Sequence, residues 1–130
     1  MKIINNENYV DLAESVIKKL KDKTDKKGWK IPMVSTSQIR NILSMGAEIY
    51  NEILLYEGED LDSELKGRID YLRIRVMYDS GRDGKVKDFA VESKIPDILK
   101  EIKLKEDYKL FYRYMESLVA FHRFYGGKDI

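Results

Sequence analysis

Apolar residues recur along this chain at intervals of three and four, and almost nowhere at intervals of two. That period gathers them on one face of an α-helix and denies a sheet its alternating surface. Tyr9, Leu12, Ala13, Val16, Ile17 and Leu20 form the first such face. Ile39, Ile42, Leu43, Gly46, Ile49, Tyr50, Ile53 and Leu54 form a second, with a stop expected near Gly58. Leu61, Leu65, Ile69, Leu72 and Val76 predict a third helix over about 61–79, with Gly81 as its stop. The last helix, from about Glu106 to Gly126–Gly127, has the broadest face: Phe111, Tyr114, Met115, Leu118, Phe121, His122 and Tyr125. Between these two, Val86, Phe89 and Ala90 predict a helical turn or two. Pro96 suits the first turn of another short helix holding Ile98, Leu99 and Ile102.

The expected fold is therefore all-α: a compact helical bundle of four main helices plus one or two short helices. A length of 130 residues supports one core rather than two, so a single helical-bundle domain over 1–130 is expected. Ser35, followed three residues later by Gln38, marks a capping box at the start of the second helix.

Several chemistries are excluded by what the chain lacks. It has no cysteine, which removes disulfides, cysteine–zinc sites and thiol nucleophiles together. Its one histidine, His122, cannot build a multi-histidine metal site. That residue falls on the apolar face of the last helix, where a core histidine bonded to a hydroxyl or carbonyl is expected ahead of direct chemistry. The acidic cluster EGEDLDSE (57–64) lacks the ligand spacing and central glycine of a calcium loop, and suits a helix start. No enzyme, cofactor or metal is expected. The opening MKIINNENY carries no apolar run of signal-peptide length and no segment approaches membrane-spanning length, so a cytoplasmic protein without membrane contact is expected.

The net charge of +1 argues neither for nor against a polyanionic partner, so local patterning has to decide. KKLKDKTDKKGWK (18–30) holds seven lysines, two aspartates and Trp29. It suits a solvated helix end with a flexible linker, or an approach surface for nucleic acid. In STSQIR (35–40) the hydroxyls surround a helix N-terminus that favours an anion, and Arg40 is poorly placed there unless an anion lies nearby. LRIRVMYDSGR (72–82) continues a stripe of Tyr71, Arg75, Tyr78 and Arg82 beside the core face. Guanidinium groups between tyrosines suit phosphates and stacked bases. The same stripe could cover core edges and pair with Asp79 or Asp83, or serve a protein interface. Spacing alone leaves these open.

Three segments together, STSQIRNILSM (35–45), YLRIRVMYDSGR (71–82) and YMESLVAFHRFYGGKD (114–129), resemble the small subunit of type III-A CRISPR effectors, the Csm complexes. The resemblance implies an antiviral, non-catalytic bundle that binds RNA and acts as a scaffold. Copies would stack along the complex opposite its backbone subunits, in a groove holding guide RNA and target RNA. The implied partners are those RNAs, the backbone RNase subunit, the large subunit and further copies of the chain. The family's polar helix start maps to Thr36, Ser37, Gln38 and Arg40, its arginine-bearing helix to Arg75 and Arg82, and its C-terminal motif to His122, Arg123 and Lys128.

With Tyr78 and Lys30 added, the expected RNA-binding set is Lys30, Thr36, Ser37, Arg40, Arg75, Tyr78, Arg82, Arg123 and Lys128. A single groove requires Arg40, Arg75 and Arg82 on one face. A subunit so placed could monitor guide–target complementarity. Near-neutral charge then implies a bipolar surface, basic toward RNA and acidic at 57–64 toward neighbouring subunits. The alternatives are a structural helical module that binds only protein through Tyr71, Tyr78 and Phe124, and a helix-turn-helix DNA binder over 86–103. The second is disfavoured because PDILKEI offers few side chains suited to base edges.

Overall fold

The structure, a computed structural model, describes residues 2–128. Asp129, the last residue of the C-terminal motif, lies outside the described residues. Six helices follow in order: α1 (Tyr9–Asp22), α2 (Thr36–Leu55), α3 (Ser63–Arg82), α4 (Gly84–Ser93), α5 (Ile95–Glu101) and α6 (Lys105–Phe124). Among the described residues there is no strand beyond the isolated bridges Thr24–Lys30 and Asp60–Leu104. Four main helices and two short ones make the all-α bundle that the periodicity predicts.

The spine is α6, along which α1 and α2 both pack; α3 runs from α2 across to α4 and α5, and α4 closes the ring against α1. The apolar faces meet in one contiguous cluster. From α6 it takes Tyr108, Phe111, Tyr114, Met115 and Leu118, each burial stabilising by about 1.5–3 kcal/mol on area alone. Two buried tyrosines also fix the helices by hydrogen bonds. The Tyr108 hydroxyl donates to the Gly46 carbonyl at 2.6 Å, and that of Tyr114 to the Ser93 carbonyl at 2.8 Å.

Helix ends depart from expectation in instructive ways. The capping box is present: the Gln38 N–H donates to Ser35 Oγ at 3.1 Å and the Ser35 N–H to Gln38 Oε1 at 2.9 Å. α3 starts at Ser63 rather than Leu61, because the Asp62 carboxylate caps it by accepting from the Leu65 N–H at 2.9 Å. It then runs through Gly81. An exposed glycine costs a helix about 1 kcal/mol relative to alanine, which a good cap can offset. Asp83 is that cap: its N–H donates to the Asp79 carbonyl, and its carboxylate accepts from the Lys85 N–H at 2.9 Å, closing α3 and opening α4.

The lysine-rich linker is a built turn. Asp25 Oδ1 accepts from the N–H groups of Lys27 and Trp29 at 2.8 and 3.0 Å, and Asp25 N–H donates to the Trp29 carbonyl at 2.8 Å. Gly28 supplies the left-handed backbone, φ +85°, that this turn needs.

Candidate nucleic-acid interface

Helix directions bring the C-terminal ends of α1, α3 and α6 and the N-terminal ends of α2 and α4 to one end of the bundle. The Thr36 N–H donates to the Lys128 carbonyl at 2.7 Å, Gln38 Nε2 donates to Asp83 Oδ2 at 2.7 Å, and Lys23 pairs with Asp88 at 3.1 Å. The last turns of α1, α3 and α6 carry Lys19 and Lys21, Arg82, and Arg123. Cations there complement the negative ends of the helix dipoles. Helix stability thus accounts for part of the basic surface.

It does not account for a cleft of about 410 Å³ lined by Lys21, Lys30, Lys85 and Lys128, with the 31–34 segment and Tyr125 as its floor. Among the described residues, no carboxylate belongs to its lining. Four lysines along one cleft raise the local potential and attract a polyanion, although the Glu14 carboxylate lies just behind Tyr125, whose hydroxyl donates to it at 2.6 Å. A second cleft, of about 260 Å³, opens where α2 meets the α3–α4 turn, and is lined by Gln38, Asn41, Asp79, Arg82 and Asp83 above Ile42 and Val86. The Lys85 N–H holds the Asp83 carboxyl below the usual carboxylate range, with Gln38 assisting, so this residue stays ionised near neutral pH. Its oxygens serve that N–H and Gln38, and Arg82 forms an ion pair with neither Asp83 nor Asp79 among the described residues. The Arg82 guanidinium lies instead 5.6 Å from the centre of the Tyr78 ring.

The expected site residues are thus divided. Lys30 and Lys128 share the lysine cleft, while Arg82 lines the second cleft with the Tyr78 ring beside its guanidinium. Arg75 is exposed on the same stripe of α3, whose Tyr71 and Tyr78 are each 60% exposed. Ser37, Arg40 and Arg123 are exposed. At about 100° per residue, Arg40 projects roughly 160° away from Gln38 around α2. Arg40 and Arg75 line neither cleft. This end therefore holds a lysine cleft, a second cleft in which Arg82 stands with Asp79 and Asp83, and exposed arginines outside both, rather than one groove lined by Arg40, Arg75 and Arg82.

Thr36 is buried, its N–H held by Lys128 and its hydroxyl 3.3 Å from His122 Nδ1. The start of α2 thereby holds the chain's tail, and the anion expected there meets N–H groups already engaged. His122, fully buried, donates from Nε2 to the Val34 carbonyl at 2.7 Å, a core histidine bonded to a carbonyl and a hydroxyl. Lys21 and Lys85 were not singled out from the sequence. The first sits inside a visible lysine run; Lys85 carries no local signal, since only the α3–α4 turn at Asp83 aims it at this cleft.

The family model Csm2 Type III-A matches residues 14–128. A CRISPR system Cms protein Csm2 of Streptococcus thermophilus is 42% identical over 129 residues, covering 99% of this chain and 100% of the relative. The protein of the same name from Mycobacterium tuberculosis H37Rv is 36% identical over 130 residues, 99% of each chain. That of Enterococcus italicus is 29% identical over 100 residues, 74% of this chain and 71% of the relative. The chain belongs to the Csm2 family of type III-A CRISPR systems, the small-subunit family that its three sequence segments resemble.

Proposed function

We propose that this chain is a non-catalytic RNA-binding and scaffold subunit of a type III-A CRISPR RNA-guided complex, contacting the backbones of guide RNA and target RNA. The observation that carries the proposal is the four-lysine cleft, with no carboxylate among the described residues of its lining. Lysine is a flexible point charge that suits phosphate and reads no base, so such contacts position RNA while guide–target pairing reads sequence. Lys30 and Lys128 would hold phosphates in this cleft together with Lys21 and Lys85. Arg82 and Tyr78 would continue the track, with Ser37, Arg40, Arg75 and Arg123 on its flanks.

The scaffold role draws on the opposite end of the bundle. There Glu57, Glu59, Asp60, Asp62 and Glu64 are exposed and form an acidic surface for neighbouring subunits. No helix among the described residues is long and apolar enough to cross a membrane.

The test is binding of the reconstituted complex to target RNA across a salt series. Lys30→Glu with Lys128→Glu should weaken capture and flatten the salt dependence while the complex still assembles. Unchanged affinity in the assembled double variant would remove the cleft from the RNA path. A protein-only module has one observation in its favour, the exposure of large aromatic rings, Phe124 at 78% and Tyr71 and Tyr78 at 60% each. It predicts binding that scarcely responds to salt. A helix-turn-helix finds little support, since α5 follows α4 after one residue, Lys94, and buries Ile95, Ile98 and Leu99.

A further inference from the structure

Trp29 is the chain's only tryptophan, and it is 72% exposed. It belongs neither to the core cluster nor to the side chains packed around it. An indole so displayed on a loose loop would mean little, but this loop is braced. Asp25 accepts from the backbone N–H of Trp29 itself and from that of Lys27, the Asp25 N–H closes back on the Trp29 carbonyl, and Thr24 bridges to Lys30. The turn holds the tryptophan backbone at two points, leaves the ring in solvent, and takes up the one carboxylate within it. The neighbours of Trp29 along the turn are Lys26, Lys27 and Lys30, all exposed, and Lys30 lines the four-lysine cleft.

We propose that Trp29 is a stacking platform for an unpaired nucleobase of single-stranded RNA, presented on a preformed turn beside the lysine cleft. The inference rests on the RNA-binding function proposed above and adds a contact of a different kind, to a base face rather than a phosphate. An exposed aromatic ring on a braced, lysine-rich turn is the combination that holds single strands, since every base has a π-face and every nucleotide a phosphate. A base inside a duplex is covered on both faces, so the platform selects an unpaired nucleotide. A membrane surface is a poorer fit, because one aromatic ring on a turn supplies far less apolar area than the long face of an interfacial helix.

The test uses the full chain and its single tryptophan as the reporter. A short oligouridylate is titrated while indole emission and the anisotropy of labelled RNA are followed in parallel. Binding should quench the emission and shield the ring from acrylamide. Trp29→Ala should weaken single-strand binding by roughly 5- to 100-fold with an unchanged salt slope, since no phosphate contact is lost, and Trp29→Phe should recover most of it. An unchanged thermal melt of Trp29→Ala would show that the loss is not one of folding. Binding seen by anisotropy without quenching, and with full affinity in Trp29→Ala, overturns the stacking role and leaves the lysine cleft standing. Equal quenching by a long RNA duplex overturns the preference for an unpaired base. No binding by either readout overturns both proposals.

Discussion

His122 Nε2 donates to the backbone carbonyl of Val34 across 2.7 Å, joining the last turn of α6 to the stretch of linker that leads into α2. Because a carbonyl can only accept, this bond places the ring proton on Nε2 and leaves Nδ1 to accept from the Thr36 hydroxyl. The His122 carbonyl in turn accepts from the Gly127 N–H at 2.8 Å. One residue thereby ties the linker, the start of α2 and the tail, and the linker and the tail both line the lysine cleft.

His122→Ala should therefore destabilise the bundle by about 2–4 kcal/mol, since it leaves a cavity and two buried polar groups without partners. Gly127→Ala should also destabilise, because a Cβ there overlaps the His122 ring. Urea denaturation measures both. A loss under about 1 kcal/mol in His122→Ala would show that the tie contributes little.

Acid should loosen the molecule at two carboxylates. For Asp107, burial raises the pKa but is outweighed by Lys2 and the N–H groups of Leu104 and Lys103 together; for Asp83 the Lys85 N–H leads in lowering it. Both folded values lie below the ordinary 3.8. Each group thus stabilises the fold above that pH, and the contribution is lost as pH falls through the lower folded value. Thermal melts at descending pH should show a steep acid limb, flattened in Asp83→Asn with Asp107→Asn.

Tyr108→Phe should cost about 0.5–2 kcal/mol by leaving the Gly46 carbonyl unpaired in the core, a loss measurable by chemical denaturation. Burial pushes the Tyr108 phenol well above its ordinary value of 10.0. Its contribution is complete below that pH and is lost as pH rises beyond it, so the wild-type chain should lose stability in alkali more steeply than Tyr108→Phe.

Gly67 and Gly81 both lie inside α3, where an added Cβ meets nothing within 4 Å. Alanine at either position should raise stability by about 0.5–1 kcal/mol, read as a higher melting temperature. Destabilisation by Gly81→Ala would mean that the chain needs a glycine at the end of α3.

Arg40→Glu with Arg82→Glu should weaken capture of target RNA by the assembled complex without unfolding the bundle, since both side chains are exposed. Separating the two substitutions tests the division into clefts. The Arg82 variant, on the cleft beside Gln38 and Asp83, should carry the larger share.

Much of this fold was legible because its information is local. A three-and-four spacing specifies which face of each helix is apolar, and the Ser35–Gln38 box marks the start of α2 from four consecutive residues. Gly81 misled for a related reason: glycine suits a helix stop, but the cap two residues later, made by Asp83 to Asp79 and Lys85, decides where the chain turns. The hydrogen-bonded state of His122 followed from its place on an apolar face, whereas its partners Val34 and Thr36 lie some 86–88 residues away in sequence.

The site was legible only in part, because a cleft is a property of several segments at once. The sequence by itself determined the helical class, the core faces and the existence of a lysine-rich linker, all of which depend on residues within a few positions of one another. Only the tertiary structure decided that Lys21, Lys30, Lys85 and Lys128 converge, that Thr36 is sealed beneath the tail, and that Arg40 stands apart from Arg82. Those outcomes depend on how α1, α2, α4 and the tail after α6 pack around a shared core, and the burial of that core, rather than any local preference, sets which ends of the helices meet.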